Sequence, residues 1–490
     1  MSRLIARLQA HARHRPNEPA VAGDRIVLSY GRLLEEVENL AAQLPARRLG
    51  LLLDNGPAWV VADLAALSGN ITCVPLPGFF TDEQLRHAVR DAGIECLLTD
   101  HPERLERLAG GIRRSLVRVA GESLTMGQLA AARPHALGDC AKITYTSGST
   151  GEPRGVCLSR RAVEGKAEIL ACVTAAGAAD ATLCLTPLST LLENIGGLYV
   201  PLLAGAVCHA LPLHTVGLAG SSGLDAAQMM RALNSLRPTS IIVIPQQLRA
   251  LVAAARQGMR PPDSLRLIAV GGAPVARELL LQAAQAGLPV YQGYGLSEAV
   301  SVVTLNTPGA NRVGSTGRPL PGVTVRIAPD GEILLRGPLF AGYLGGPAPL
   351  DHELATGDLG RLDDDGYLYV AGRKNNAYAT AFGRNVSPEW IEGELLSEVS
   401  VAQAVVFGAA SPVNVAVIVP RPGVGAAEIG TAVEAVNRRL PDYARVGRYV
   451  LAAEPFSVAN GQLTGTGRAR RATIARCYAG AIRSLQQEAV

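Results

Sequence analysis

The chain contains 490 residues, of which 48% are hydrophobic and 18% are charged. This length predicts about two to four domains, and the composition is typical of a soluble globular protein with a large buried core. The formal net charge of +4 is too small to indicate binding to nucleic acid or to a membrane surface.

No stretch of the sequence predicts a signal peptide or a transmembrane helix. Residues Met1 to Arg7 lack an uninterrupted apolar core of signal-peptide length. The uncharged run at 195–213 is interrupted by glycine, proline and histidine, so we interpret it as a buried helix followed by a strand. The 8 cysteines stand singly in apolar segments, which predicts reduced core thiols in a cytoplasmic protein, with neither a disulfide framework nor a metal site.

The N-terminal part of the chain alternates between helix and strand patterns. An amphipathic helix around Leu4 to Leu8 comes first, followed by a hairpin at Gly23–Asp24. A capping box from Thr81 to Gln84 opens a later helix. The predicted strands then lie at 51–53, 71–76 and 96–98, and the predicted helices at 33–44, 59–67 and 82–92. Because short apolar strands alternate with helices, we expect a mostly parallel sheet covered on both faces.

The alternation continues in the middle of the chain and then gives way to a β-rich region. We predict a helix at 162–173 and strands at 241–244 and 267–270. The last of these strands runs directly into Gly271-Gly272-Ala273-Pro274, and open α/β sheets bind ligands at the carboxyl ends of their strands. Short strands and turns over 313–370 predict a small β-barrel-like subdomain.

A compact α+β pattern occupies the C-terminal part of the chain. Its predicted elements are strands at 402–407 and 415–419 and helices at 428–440 and from about residue 471 onward. The polar residues 373–376 separate this pattern from the preceding one. We therefore predict a large α/β domain at 1–373 and a small α+β domain at 374–490.

A loop rich in glycine and hydroxyl side chains lies within residues 143–156, whose sequence is ITYTSGSTGEPRGV. Glycine lets backbone N–H groups point into one concavity, and the hydroxyls and Arg154 add further donors, so the loop could surround a polyphosphate. It is not a Walker A loop, because the Gly-Lys-Ser/Thr ending is absent. Taken alone, an ordinary surface turn has the same composition, and the loop does not decide between the two.

Three more motifs follow: YQGYGLSE at 291–298, ATGD at 355–358 and GRK at 372–374. In this order, the four motifs resemble those of the acyl-adenylate-forming superfamily, which comprises acyl-CoA synthetases, peptide-synthetase adenylation domains and beetle luciferases. The resemblance extends over about residues 28–471. It implies layered αβα sheets in the N-terminal domain and a mobile C-terminal domain that rotates between an adenylating and a thioester-forming pose. The pivot would be Asn375, where the family has Asp or Lys.

The resemblance also implies a site for ATP and Mg²⁺. Asp358 would bind the ribose hydroxyls, since a carboxylate accepts two hydrogen bonds at once, and Arg373 would approach the ribose or a phosphate. Tyr294 would stack on the adenine. The residues that would line the adenine slot are Gly272, Ala273, Pro274, Gly293, Tyr294 and Gly295. The residues that would hold the phosphates are Thr146, Ser147, Gly148, Ser149, Thr150, Gly151 and Arg154.

Three further residues would take part in the chemistry. Glu298 is the candidate Mg²⁺ ligand, because Mg²⁺ is usually held by one or two carboxylates together with phosphate oxygens and water. Ser297, where the family more often has Thr, would donate to the α-phosphate. Gly383 lies in a segment resembling the one that enters the site for thioester formation, where a glycine lets a pantetheine arm pass close to the backbone.

The sequence departs from the family pattern at positions that matter for catalysis. Arg468 stands where the family has the lysine that bridges the substrate carboxylate and phosphate, and Arg154 also replaces a lysine. Lysine and arginine are not interchangeable where geometry is tight. Thr190 stands where the fatty-acyl relatives usually have His, and the segment after Pro187 lacks the Asp with which amino-acid adenylation domains hold an ammonium.

We therefore predict an ATP- and Mg²⁺-dependent ligase that converts a fatty or other apolar carboxylic acid to its acyl-AMP. A thiol would then take the acyl group, either that of coenzyme A or the phosphopantetheine of an acyl carrier protein. Two alternatives remain at this point. One is an aryl- or amino-acid-adenylating domain, and the other is a catalytically silent homologue that binds a nucleotide or an acyl ligand, which the departures at 154, 190, 375 and 468 would explain.

Overall fold

We describe the fold from a computed structural model. It describes residues 2–108, 112–129, 139–146, 153–220, 223–346, 353–381, 384–409, 411, 413–464 and 467–487. Six predicted site residues lie outside these ranges: Ser147, Gly148, Ser149, Thr150, Gly151 and Gly383.

Helices cover both large sheets and part of the C-terminal region. They are α1 (Arg3–His14), α2 (Tyr30–Gln43), α3 (Pro57–Ser68), α4 (Asp82–Ala92), α5 (Pro102–Leu108), α6 (Arg160–Val173), α7 (Val200–Ala204), α8 (Ala226–Leu236), α9 (Pro245–Arg256), α10 (Arg277–Gln285), α11 (Pro388–Ser397), α12 (Ala426–Arg439), α13 (Arg471–Cys477) and α14 (Ala479–Gln487). Hydroxyl side chains begin several of them, and Thr81 forms the predicted capping box with Gln84 at the start of α4. A π-helical segment, Glu193–Tyr199, runs directly into α7.

The strands form sheets that differ in size and direction. In chain order they are β1 (Pro19–Ala22), β2 (Val27–Ser29), β3 (Arg48–Leu52), β4 (Thr72–Pro75), β5 (Cys96–Thr99), β6 (Arg113–Val119), β7 (Glu122–Gln128), β8 (Lys142–Thr146), β9 (Arg154–Leu158), β10 (Ala181–Leu183), β11 (Val207–His209), β12 (Leu218–Ala219), β13 (Gly223–Leu224), β14 (Ser240–Val243), β15 (Leu267–Val270), β16 (Val290–Leu296), β17 (Ser301–Leu305), β18 (Arg318–Pro319), β19 (Thr324–Ile327), β20 (Glu332–Arg336), β21 (Gly342–Tyr343), β22 (Glu353–Leu362), β23 (Leu368–Arg373), β24 (Tyr378–Ala379), β25 (Asn385–Val386), β26 (Val401–Phe407), β27 (Asn414–Pro420) and β28 (Val446–Leu451).

Two large sheets with parallel centres organise the N-terminal part of the chain. One has nine strands in the order β18-β17-β16-β15-β14-β10-β11-β1-β2, and the other has eight in the order β21-β9-β8-β4-β3-β5-β7-β6. Pairing is parallel from β16 through β1 in the first and among β5, β3, β4 and β8 in the second. This confirms the predicted α/β class with a helix-covered, mostly parallel sheet.

The β-rich region and the C-terminal region form smaller sheets. The segment predicted as barrel-like contains a four-stranded antiparallel sheet, β19-β20-β22-β23, and contributes β18 to the nine-stranded sheet. After β23, the pairs β24-β25 and β26-β27-β28 involve only later strands. Among the described residues, no strand therefore pairs across residue 374, although the domain boundary there remains a prediction.

The core between the sheets contains a buried polar cluster around Asp63. Helix α3 carries Asp63 and is buried on every side. Lys142, on the strand that leads towards the glycine-rich loop, donates to Asp63 at 2.7 Å and to the hydroxyl of Tyr199 at 3.0 Å, and also contacts Asn194. Burial alone would raise the pKa of Asp63, but the Lys142 charge and the hydrogen bonds outweigh it and hold the pKa below its ordinary value.

We expect Lys142→Met to lower the free energy of unfolding by about 3–5 kcal/mol, because it leaves the Asp63 carboxylate buried without its cation. Urea denaturation monitored by circular dichroism measures the loss. Lys374→Met is the matched control, since Lys374 also binds two carboxylates, Asp330 and Glu332, but at the surface. Equal losses for the two variants would contradict a special role for the buried cluster.

Candidate active site

A large cleft collects the described members of the predicted site. It has a volume of about 2710 Å³ and opens at the carboxyl ends of β15 and β16, with walls from the four-stranded sheet and the C-terminal region. The predicted residues that line it are Thr146, Arg154, Gly272, Ala273, Pro274, Gly293, Tyr294, Gly295, Ser297, Glu298, Asp358, Arg373 and Arg468. Side chains separated by up to about three hundred positions in the sequence therefore share one cavity.

Asp358 is held from two sides. The Tyr294 hydroxyl donates to its Oδ2 at 2.7 Å, and Arg373 Nε lies 3.0 Å from Oδ1. Asp358 and Arg373 face each other on the paired strands β22 and β23, and the Asp358 N–H donates to Thr356. Burial raises the pKa of Asp358, and the Arg373 charge and the Tyr294 hydrogen bond reduce this rise without cancelling it.

Two glycines shape the cleft wall where β15 and β16 end. Gly272 has a φ of +80°, which favours glycine, and a Cβ added there would meet no atom within 4 Å. A Cβ added at Gly295 would lie 1.8 Å from the Ser301 carbonyl oxygen on the neighbouring strand. Gly272 thus leaves open space in the cleft, whereas Gly295 lets β16 and β17 approach each other closely.

Glu298 and Arg154 are connected through Tyr343, which sequence reasoning missed. The Tyr343 hydroxyl donates to Glu298 Oε1 at 2.7 Å, and the Arg154 guanidinium carbon lies 3.6 Å from the centroid of the Tyr343 ring. Burial, together with the adjacent Glu298 carboxylate, raises the pKa of Tyr343 to about 12. Tyr343 reaches this place because β21 pairs with β9, which begins at Arg154. No local sequence motif marks Tyr343.

Arg468 brings the C-terminal region into the cleft. Its Nη2 donates to the Gly272 carbonyl at 3.3 Å, and the turn that carries it is closed by a hydrogen bond from Thr464 N to the Arg468 carbonyl at 2.8 Å. Arg468 keeps solvent contact inside the cleft. Partial desolvation and the Arg373 charge nevertheless lower the pKa of its guanidinium, against the opposing effect of Asp358 and Glu298. The guanidinium stays charged at neutral pH.

Two buried polar atoms in the cleft wall have no hydrogen-bond partner among the described residues. They are Gln292 Oε1, on β16, and Thr144 Oγ1, on β8. Buried polar atoms are normally satisfied, so each exception needs an explanation, such as a bound ligand. Sequence reasoning missed Gln292 as a site residue. Its position immediately before the Gly293-Tyr294-Gly295 motif is the signal that could have identified it.

The segment before the π-helix forms another part of the wall. The Thr190 hydroxyl donates a hydrogen bond to the Pro187 carbonyl at 2.7 Å, and the Thr186 hydroxyl donates to the Glu193 carboxyl group at 2.5 Å. Glu193 is completely buried, and burial raises its pKa to about 8. The buried group next to this wall is therefore a neutral acid at neutral pH.

The chain belongs to the AMP-binding enzyme family. A family profile of that description matches residues 8–344, and one for the AMP-binding enzyme C-terminal domain matches residues 377–489. In the described residues, every helix is too short or too polar to span a bilayer. The described residues also contain no group of three or more His, Cys, Asp or Glu side chains that could hold a metal ion.

Several characterised proteins are similar over most of their length. The long-chain-fatty-acid–CoA ligase FadD15 of Mycobacterium bovis is 26% identical over 530 residues, covering 87% of this chain and 86% of that protein. Feruloyl-CoA synthase of an Amycolatopsis species is 29% identical over 443 residues, with 84% and 87% covered. The anthranilate CoA ligase AuaEII in complex with anthranoyl-AMP has the same fold, with a TM-score of 0.81 at 20% identity and 97% and 96% covered.

As the pH rises from about 5 to 8, we expect the free energy of unfolding of the wild type to fall relative to that of Glu193→Gln. Between its unfolded pKa of 4.5 and its folded pKa of about 8, Glu193 binds more protons in the folded state, so raising the pH favours unfolding. Urea denaturation at a series of pH values measures the difference. Glu83→Gln, at an exposed carboxylate, is the matched control substitution. Parallel curves for the wild type and Glu193→Gln would contradict the prediction.

Proposed function

We propose that this protein is an AMP-forming acid–CoA ligase. The substrate carboxylate attacks the α-phosphate of ATP and pyrophosphate leaves, after which the thiol of coenzyme A displaces AMP to give the acyl thioester. The observation that carries the proposal is the meeting of Arg468 with the Gly272 carbonyl, which places a cation from the C-terminal region in the cleft that holds Asp358 and Glu298. Such a cation can stabilise the charge that builds up in the transition state.

The cleft fits an adenine nucleotide. Gln292 Oε1 is an unsatisfied buried acceptor that would accept a hydrogen bond from the adenine amino group. The open space at Gly272 leaves room for the base beside the backbone. Asp358 Oδ2 accepts a hydrogen bond from Tyr294 and Oδ1 forms an ion pair with Arg373, and each oxygen has a further lone pair. The carboxylate can therefore accept the two ribose hydroxyls while Tyr294 and Arg373 keep it in place.

The donor set around Glu298 fits Mg²⁺ carried by the nucleotide. Glu298 offers one carboxylate, and Mg²⁺ commonly takes one or two carboxylates together with phosphate oxygens and water. When bound, the ion would be held by Glu298 and would supply positive charge that neutralises part of the phosphate charge. Tyr343 would orient the carboxylate through its hydrogen bond, and Arg154, stacked on Tyr343, would face the phosphates. Ser297, next to Glu298 in the cleft wall, would donate to the α-phosphate.

The acid-binding part of the cleft favours an apolar chain. Besides Pro187 and Thr190, the cavity is lined by Leu192, Ile242 and Ala269, and the adjacent Glu193 is uncharged at neutral pH. None of these lining residues carries a carboxylate that could pair with a substrate ammonium, and burying an unpaired charge is costly. FadD15 is a CoA ligase and the Amycolatopsis relative is a feruloyl-CoA synthase, which supports coenzyme A as the thiol, and FadD15 supports a fatty acid as the substrate class.

The test is thioester formation with ATP, Mg²⁺ and coenzyme A across a panel of acids, measured by mass spectrometry as kcat/KM for each acid. We expect decanoate to exceed benzoate, acetate and leucine. A preference for benzoate would replace the fatty-acid assignment with an aryl-acid one. The absence of a thioester with every acid would contradict the ligase assignment.

Arg468 generates a separate prediction. A guanidinium sets its donors in a fixed fork, so removing it should lower the rate of acyl-AMP formation by about 10²- to 10³-fold in Arg468→Ala. Thioester formation from supplied acyl-AMP should change little, because Arg468 acts on the carboxylate and phosphate of the first step.

Arg468→Lys separates charge from geometry in the same assay. If the cleft fits the guanidinium, the lysine variant should be slower than the wild type in adenylation. Arg470→Ala is the neighbouring control, and it should leave both half-reactions unchanged. Equal adenylation rates for Arg468→Ala and the wild type would show that this segment does not act in the reaction.

A further inference from the structure

The cleft continues as a cavity along one face of the nine-stranded sheet. On β14, Ser240 and Ile242 line this cavity, and they lie beside Leu267 and Ala269 of β15, which also line it. Alternate residues of a strand share a face, so Ser240 and Ile242 lie on the same face of the sheet, and so do Leu267 and Ala269. The four residue steps from Ser240 to Ile244 correspond to about 13 Å. The cavity therefore reaches from the catalytic edge of the sheet to its opposite edge.

The middle of this cavity is apolar. Leu170 of α6, Leu192 beside the π-helix, Ile242 of β14 and Val302 of β17 are among the apolar residues that line it. A Cβ added at Gly196 would come within 2.7 Å of Ile242 Cδ1, so the π-helix packs closely on the sheet at this glycine. This stretch offers an extended hydrocarbon chain an apolar environment, while an aromatic acid would fill only the end near the catalytic groups.

The far end of the cavity is polar. The hydroxyl oxygens of Thr182 and Ser240, on neighbouring strands β10 and β14, lie 2.9 Å apart and both residues line the cavity. Thr182 is buried. In such a pair one hydroxyl donates to the other, which leaves one O–H and further lone pairs available to a third group. A chain that ends in a hydroxyl can use them, whereas a methyl end cannot.

The charges at this end are already neutralised. Arg266 binds Asp180 through Nε at 2.8 Å and Nη2 at 2.6 Å, and its Nη1 donates to the Thr174 carbonyl at 2.8 Å. Asp180 also accepts from Thr239 at 2.8 Å. The Arg266 guanidinium is therefore already paired with Asp180 and the Thr174 carbonyl. A second carboxylate on the substrate would be desolvated here without a cation of its own, which is unfavourable.

We propose that the Thr182–Ser240 hydroxyl pair is a specificity subsite for a neutral hydroxyl group at the far end of the acid. The preferred substrates are then acids of medium chain length that carry a terminal hydroxyl, ahead of the alkanoates and dicarboxylates of equal length. This inference rests on the proposed ligase function and deepens it, because it specifies the chemistry of the acyl chain.

The test compares kcat/KM for decanoate, ω-hydroxydecanoate, decanedioate and butanoate in the wild type and in Thr182→Val/Ser240→Ala. One added hydrogen bond predicts a wild-type preference of about 3- to 10-fold for ω-hydroxydecanoate over decanoate. In the double variant this ratio should fall to about one or below. Butanoate should be unaffected, because it is too short to reach the pair.

Two further variants separate the hydroxyl effect from a folding defect. Thr182→Ser keeps the hydroxyl and should keep the preference even if the double variant fails to fold. Ser264→Ala removes a hydroxyl that binds the Pro238 carbonyl at the same edge of the sheet, outside the cavity lining, and should change nothing.

Three outcomes would overturn the subsite. The first is a wild-type ratio of kcat/KM for ω-hydroxydecanoate over decanoate that lies near one. The second is an unchanged ratio in the double variant, and the third is a wild-type preference for decanedioate. Inactivity towards butanoate and every longer acid would instead contradict the ligase function itself, so the two failures are distinguishable.

Discussion

The structure of the site depends on the burial of the Asp358 carboxylate. A carboxylate removed from water needs partners, and Asp358 takes them from Tyr294 on the nine-stranded sheet and from Arg373 at the end of the four-stranded sheet. Arg373 is also the last residue before the polar segment that leads to the C-terminal region. One buried group therefore joins the two sheets in the cleft wall, and one of its two partners lies directly before the segment that leads to the C-terminal region.

Features encoded by neighbouring residues could be predicted from the sequence. The strand predicted at 267–270 is β15, and the capping box at Thr81 is present, because both depend on local patterns of polarity and hydrogen bonding. The motifs around Tyr294 and Asp358 were recognisable because each is a short contiguous run. The cleft assembles these runs because the carboxyl ends of parallel strands meet at one edge of a sheet.

Features that depend on distant contacts could not be predicted. Tyr343 reaches Glu298 across 45 positions of the chain, and Thr182 reaches Ser240 across 58. Neither contact leaves a periodic or compositional signal, since each is created by strand pairing. The π-helix at Glu193–Tyr199 was missed for a different reason: its apolar pattern predicts an ordinary buried helix, and only the packing of Gly196 on Ile242 distinguishes it.

The central claim is that residues from both regions of the chain form one adenylating site. Acid-dependent exchange of radiolabelled pyrophosphate into ATP tests it most directly, because this reaction requires acyl-AMP formation and no thiol. The account predicts exchange that depends on an apolar acid and on Mg²⁺ and that is largely lost in both Asp358→Ala and Arg468→Ala while these variants remain folded. Exchange that persists in either folded variant, or that does not occur with any acid in the wild type, would contradict it.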